Sequence, residues 1–252
     1  MNKNYQALAD AGIPCVCCNI YKISTGERVF APYMLKTINV DGYDFTVAII
    51  GMENTDITSW DFSEHYPDMM FYSPENTSRD LTYELKKVQS EMAQSGIVPD
   101  FTIVSMHSGA FPEAFKKDGD FDYVSYAQKL ADEPLQLGVN TENQALRLME
   151  NSTGVDAVIH GHDHVSYISN KYFKNAEGKD VLSINSTKTS MSKTCISVNK
   201  DADGKLKATI DCSENLDLSK YSVDSQLKKV LQPYYEDVNE ILANKIGDLA
   251  GT

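Results

Sequence analysis

Two apolar runs that end in histidine constrain the fold of this chain more than any other feature. Phe101-Thr102-Ile103-Val104-Ser105-Met106 runs directly into His107-Ser108-Gly109. Val155-Asp156-Ala157-Val158-Ile159 runs directly into His160-Gly161-His162-Asp163-His164. Short apolar runs bounded by turn residues read as buried strands. Between them, Thr141-x-x-Gln144 reads as a capping box that opens a helix through Leu146 and Met149. Four of the five histidines therefore sit at strand ends, and only His65 does not. Strand ends are where open α/β sheets place ligands.

A His-x-His pair on a turn aims two imidazoles at nearly the same point, and neutral imidazole is a common ligand for Zn, Mn and Fe. Gly161 and the turn-tolerant Asp163 suit a tight loop that brings both rings forward. His160 precedes Gly161 and reads as a structural or supporting residue that points away from the other two. The candidate metal ligands are His107, His162 and His164, with Gly109, His160, Gly161 and Asp163 shaping the two turns. A nucleophilic triad is not indicated: there is no G-x-S-x-G, and Ser108 lacks an evident orienting partner. His160–His164 is one residue short of the H-x-H-x-D-H pattern of metallo-β-lactamase-like enzymes, and no histidine follows it.

The rest of the chain mixes both element types. A short helix over 3–11 ends at Gly12, and Cys15–Tyr21 reads as a buried strand. Asp41-Gly42 marks a hairpin between 35–40 and 43–51. The second of those runs is apolar on both faces and suits a central strand. Residues 52–76 read as a long irregular loop, and 78–94 as a helix ended by Gly96. Strands follow at 181–185, 194–199 and 205–212, with Asp203-Gly204 as a turn. Apolar residues from Val223 to Leu242 keep helical spacing. The mixed order gives an α/β class, with α+β possible.

Charge narrows the function. Thirty-six acids against 23 bases leave a formal charge of −13. Such a surface repels nucleic-acid polymers and anionic membranes, so a phosphate-handling site needs local positive charge, for which a bound metal is the obvious source. No apolar run is long enough to span a membrane. Met1–Tyr5 lacks an apolar core, so no signal peptide is expected on this chain. Five cysteines are too few for a disulfide scaffold. Cys15-Val16-Cys17-Cys18 reads as buried structural cysteine. Cys195 and Cys212 lie on separate strands, and the sequence leaves their pairing open.

The runs VDAVIHGHDH (155–164) and IVSMHSG (103–109) resemble the last two motifs of calcineurin-like metallophosphoesterases. Within that family the chain resembles the bacterial 5'-nucleotidase / 2',3'-cyclic-nucleotide 2'-phosphodiesterase branch. PCVCCNIY, FTVAIIGMENTD and ENQALRLM match as well, so the likeness covers roughly residues 5–215. The family orders its motifs as D-x-H, G-D, G-N-H-[DE], a lone H and G-H-x-H, around two divalent ions (Mn, Zn, Fe or Mg). The resemblance implies His107 and His162 on one ion, His164 on the other, and a nucleotide or other phosphoester substrate.

This sequence has no D-x-H followed by G-D, and no G-N-H-[DE] anywhere. The expectation is a partial αββα sandwich over 1–215, lacking its N-terminal strands and their catalytic histidine. It would be inactive without the missing N-terminal half of its domain. Residues 216–252 would form a connecting helix and the start of a truncated second domain. Lys188 and Lys193, where many relatives carry a Gly-rich segment, are candidate phosphate contacts. Relatives of this kind imply an extracytoplasmic or wall-associated location. The alternative is a non-catalytic remnant acting as a binding module.

Overall fold

A computed structural model describes residues 3–110, 123–138, 140–164, 168–186 and 190–244. The chain divides into two compact units, Met1–Leu216 and Asp217–Thr252.

The first unit is built on a six-stranded mixed sheet. Its strands are β2 (Tyr33–Val40), β3 (Tyr43–Met52), β5 (Phe101–Met106), β6 (Ala157–Ile159), β7 (Lys171–Lys174) and β8 (Asp180–Ile184). The spatial order is β2-β3-β5-β6-β8-β7. The four inner strands are parallel, and an antiparallel strand closes each edge. The β2–β3 turn is the expected Asp41-Gly42, with φ of 49° and 82°. Two successive positive φ angles give the twist that a two-residue hairpin needs.

Each face of the sheet has its own cover, because the strands alternate. On one face Ala48, Ile50, Val104 and Val158 pack against helices α2 (Leu81–Gln94) and α4 (Ala145–Asn151). Leu81, Leu85, Val88 and Met92 bury the apolar stripe of α2. Asp80 caps that helix by accepting from the Thr82 amide, and Gly96 ends it at φ +70°. On the other face Phe45, Phe101, Ala157 and Leu182 meet Val198, Leu206, Ala208 and Ile210. These four come from a separate hairpin, β9 (Met191–Lys200) and β10 (Leu206–Leu216).

Two expectations need correcting. Cys15–Tyr21 is buried but is not one strand. Its amides go to different partners, Cys17 N–H to Ala31 O and Cys18 N–H to Gly51 O. Asn19, fully buried, then does with its side chain what a ladder would do with backbone. Its Nδ2 donates to the carbonyls of Glu53 and Phe71, and its Oδ1 accepts from the Glu53 amide. Only Tyr21–Lys22 (β1) pairs as strand, with Met69–Met70 (β4) inside the expected irregular loop. Thr141-x-x-Gln144 is not a capping box either, since α4 starts at Ala145 and Gln144 makes no side-chain cap. The buried Gln144 side chain instead accepts from the Leu81 amide and donates to the carbonyls of Arg79 and Thr141. Helix α3 (Tyr123–Asp132) and strand β7 add to the elements expected from the sequence. In the first unit α1 spans Lys3–Asp10. The second unit holds helix α5 (Ser225–Ala243), capped by Asp224 and containing Pro233. Among the described residues no helix is long and apolar enough to cross a membrane.

Candidate metal centre

Strands β5 and β6 are parallel neighbours, with Ser105 opposite Ile159. The loops that follow them therefore leave the sheet at the same end. The His107 amide still donates to Met52 O, and the His160 amide to Ile184 O, so both loops start from firmly paired backbone. The second turn is strained at unexpected places. Gly161 is not the residue with positive φ; His162 (85°) and His164 (56°) are. A Cβ on Gly161 would meet open space. Positive φ at non-glycine residues is uncommon, and it concentrates at functional sites.

Asp163 ties the two loops together. It is buried, and its Oδ2 accepts from the Ala110 amide at 2.8 Å while its Oδ1 accepts from Asn185 Nδ2 at 3.4 Å. Gly109 is required there by close approach. A Cβ would fall 2.2 Å from Asn143 Oδ1 and 2.8 Å from Asp163 Cβ. Ser108 is a strut: its buried hydroxyl donates to Glu142 O and accepts from the Gln144 amide. Those bonds hold the 142–144 segment against the β5 loop.

The structure brings two of the three candidate ligands together. His162 Nδ1 lies 3.2 Å from His107 Nε2, with the rings edge-on. Behind His162, its Nε2 lies 2.6 Å from Glu142 Oε1. A carboxylate only accepts, so Glu142 takes its hydrogen bond from His162 Nε2, and in the neutral form of the ring Nδ1 then turns a lone pair toward His107. Trp60 stacks on the same ring at 5.4 Å between centroids. Burial, and then the fields of His162 and His164, hold the His107 pKa below the ordinary histidine value, which favours the neutral, ligating form. Glu53 lies in the same region; burial raises its pKa, and the field of His162 opposes that.

The remaining candidates lie differently. His164 is exposed and reaches His107 through its charge. His160 is buried, with Nε2 2.9 Å from Ser183 Oγ on β8, and burial pushes its pKa down to about 4. Lys193 is exposed on β9 opposite Glu214. Lys188 lies outside the described residues. A cavity of about 620 Å³ opens beside the pair, lined by Cys15, Gly51, Glu53, Ser105, His107 and His160 among others.

The donor chemistry suits a borderline divalent cation: neutral imidazole nitrogens, with a carboxylate fixing one ring from behind. Two such ions are not accounted for. Among the described residues no group of three or more His, Cys, Asp or Glu side chains surrounds one point. A stable site takes about four ligands. The described residues thus fit part of the shell of one ion. Sequence reasoning missed Glu142 and Trp60, because only the folded chain brings them to His162.

No protein-family model matches the chain. Among curated proteins it is similar to protein UshA of Escherichia coli, 26% identical over 150 residues, which are 59% of this chain and 25% of that protein. It is also similar to a 5'-nucleotidase of Vibrio parahaemolyticus, 26% identical over 56% of this chain and 23% of the relative. The matched stretch is thus about a quarter of the length of these relatives. Among solved structures the fold is similar to the calcineurin-like phosphoesterase YfkN of Bacillus subtilis. The TM-score is 0.59 at 17% identity, covering 92% of this chain and 64% of that one. The 5'-nucleotidase precursor of Thermus thermophilus gives a TM-score of 0.58 at 22% identity, over 96% of this chain and 41% of that one.

Proposed function

We propose, from the premise that this chain resembles calcineurin-like metallophosphoesterases of the 5'-nucleotidase branch in sequence and in fold, that it supplies histidine ligands to a metal centre for phosphoester hydrolysis of nucleotides. One observation carries the reading. The loops after two adjacent parallel strands bring His107 Nε2 and His162 Nδ1 to 3.2 Å, with Glu142 fixing the second ring.

In this reading His107 and His162 hold one ion, and His164, on the same turn as His162, serves a second. Glu142 sets the His162 tautomer, Trp60 packs one face of that ring, and Asp163 fixes the spacing of the two loops. A bound divalent cation supplies electrostatic stabilisation of the charge that develops on phosphoester oxygens. That positive charge also answers the surface charge of −13, which would otherwise repel a phosphate ester. The sequence holds no D-x-H followed by G-D and no G-N-H-[DE], so in this reading the groups those motifs carry come from outside these residues. Turnover of 5'-nucleotides or 2',3'-cyclic nucleotides then depends on a polypeptide that carries them. The location that goes with this reading is extracytoplasmic.

The second reading is a non-catalytic binding module. It is favoured by the observation that the described residues gather only two imidazoles at one point. Equilibrium dialysis of the full chain against Zn or Mn separates the two. The metal-centre reading expects close to one ion per chain, lost in His162→Ala. Less than about 0.2 equivalents would favour the module.

A further inference from the structure

The β9–β10 hairpin carries a feature independent of the histidine site. Cys195 and Cys212 are direct cross-strand partners in its register. Directly opposed residues of an antiparallel pair have Cα atoms about 4.5 or about 5.5 Å apart. Both separations fall within the disulfide range of about 4.4–6.8 Å. The Cys212 thiol is near enough to raise the pKa of Cys195. Cys212 is exposed and Cys195 partly so, so a solution oxidant can reach them.

The other cysteines do not compete. Cys17 and Cys18 are buried on a different segment, and burial holds both thiols protonated. Cys15 is two residues from Cys17 and belongs to that same segment. Oxidation therefore has one short route open to it.

The surrounding strand pair gives the bond a purpose. The register slips beside it, between Ile210 and Cys212, where Asp211 is the extra residue. Among the described residues the hairpin pairs with no other strand, yet its Val198, Ala208 and Ile210 cover one face of the main sheet. An isolated two-stranded ribbon is marginally stable, and its register is easily lost. A covalent tie at the bulge would hold that register, and with it the cover over the sheet.

We propose that Cys195 and Cys212 form a structural disulfide, made by exchange with a small disulfide oxidant of the glutathione type. The exposed Cys212 thiolate attacks one sulfur of the oxidant and expels one thiol. The Cys195 thiolate then attacks the Cys212 sulfur of the mixed disulfide and expels the second. Two protein thiols are oxidised to one S–S bond, and one oxidant disulfide is reduced to two thiols.

The test equilibrates the full chain with oxidised and reduced glutathione at pH 8, native and in guanidinium, followed by acid quench and non-reducing peptide mass mapping. The expected result is a mass loss of about 2 Da, one linked peptide joining Cys195 and Cys212, and an equilibrium constant at least about tenfold larger in the native chain. Melting should rise by several degrees and fall back on adding reductant. Cys212→Ser should abolish the link. The proposal is overturned by a glutathione adduct resting on Cys212 without the link, by equal native and denatured constants, or by the same mass loss persisting in Cys212→Ser.

Discussion

The informative residue at the centre is Glu142, more than any histidine. Imidazole nitrogens meet at 3.2 Å, and without a partner at Nε2 the His162 proton could sit on either nitrogen. The 2.6 Å contact to Glu142 removes that ambiguity. Carboxylates behind metal-binding histidines are typically worth about 10–100-fold in affinity. Glu142→Ala should weaken Zn binding by about that factor. Glu142→Gln, which can still accept at its amide oxygen, should lose less. Nitrogen NMR of the apo chain gives an independent readout: His162 should show the Nε2–H tautomer in wild type and mixed tautomers in Glu142→Ala. Unchanged tautomer and affinity together would remove Glu142 from the site. His107 and His162 were legible in sequence because two apolar strands run into the turns that carry them. Glu142 was not, because its neighbours read as helix capping and its real partner is 20 residues away. Trp60 was hidden for a similar reason, inside a loop without period.

At the scale of elements, local chemistry was readable and competition between partners was not. Asp41-Gly42 dictates a turn wherever it lies, and the six-residue run at 101–106 dictates a strand by its own side chains. Thr141-x-x-Gln144 failed because a buried hub of Leu81, Arg79 and Thr55 offers Gln144 more partners than a helix start does. The Cys15–Tyr21 segment failed because Asn19, not a neighbouring strand, satisfies it. That segment also presses on β3. A Cβ on Gly51 would come within 2.0 Å of Val16 O, a backbone atom that cannot swing aside. Gly51→Ala should therefore destabilise the chain by about 1–3 kcal/mol through overpacking. Urea unfolding reads it as a lower midpoint at unchanged slope. A wild-type midpoint would mean that the segment does not dock on β3 as described.

Taken whole, the first unit is one sheet with a helical layer on one face and a two-stranded layer on the other. The buried segment at 15–21 belongs to that arrangement and offers a reporter for it. Burial pushes the Cys17 thiol up to about 12 and raises Cys18 well above its usual value. At pH 8 the thiolate fraction of Cys17 is then on the order of 10⁻⁴. Iodoacetamide should modify Cys212 in the reduced native chain within minutes and leave Cys17 and Cys18 untouched until denaturant opens the unit. Their labelling should follow the unfolding transition. Native labelling of Cys17 as fast as Cys212 would contradict the packing described. The class of fold was legible from the mixed element order, whereas the division of cover between helices and hairpin was not. That division depends on which chain segments return to which face, a long-range matter that periodicity does not encode.

One buried carboxylate sets how the centre behaves as a device. Asp163, from the turn after β6, grips the backbone after β5, so the two histidine-bearing loops are a single mechanical piece. Neither can swing without dragging the other. In the proposed centre the disorder lost in lining up the imidazoles is given up while the chain folds, so that ion binding there would not have to supply it.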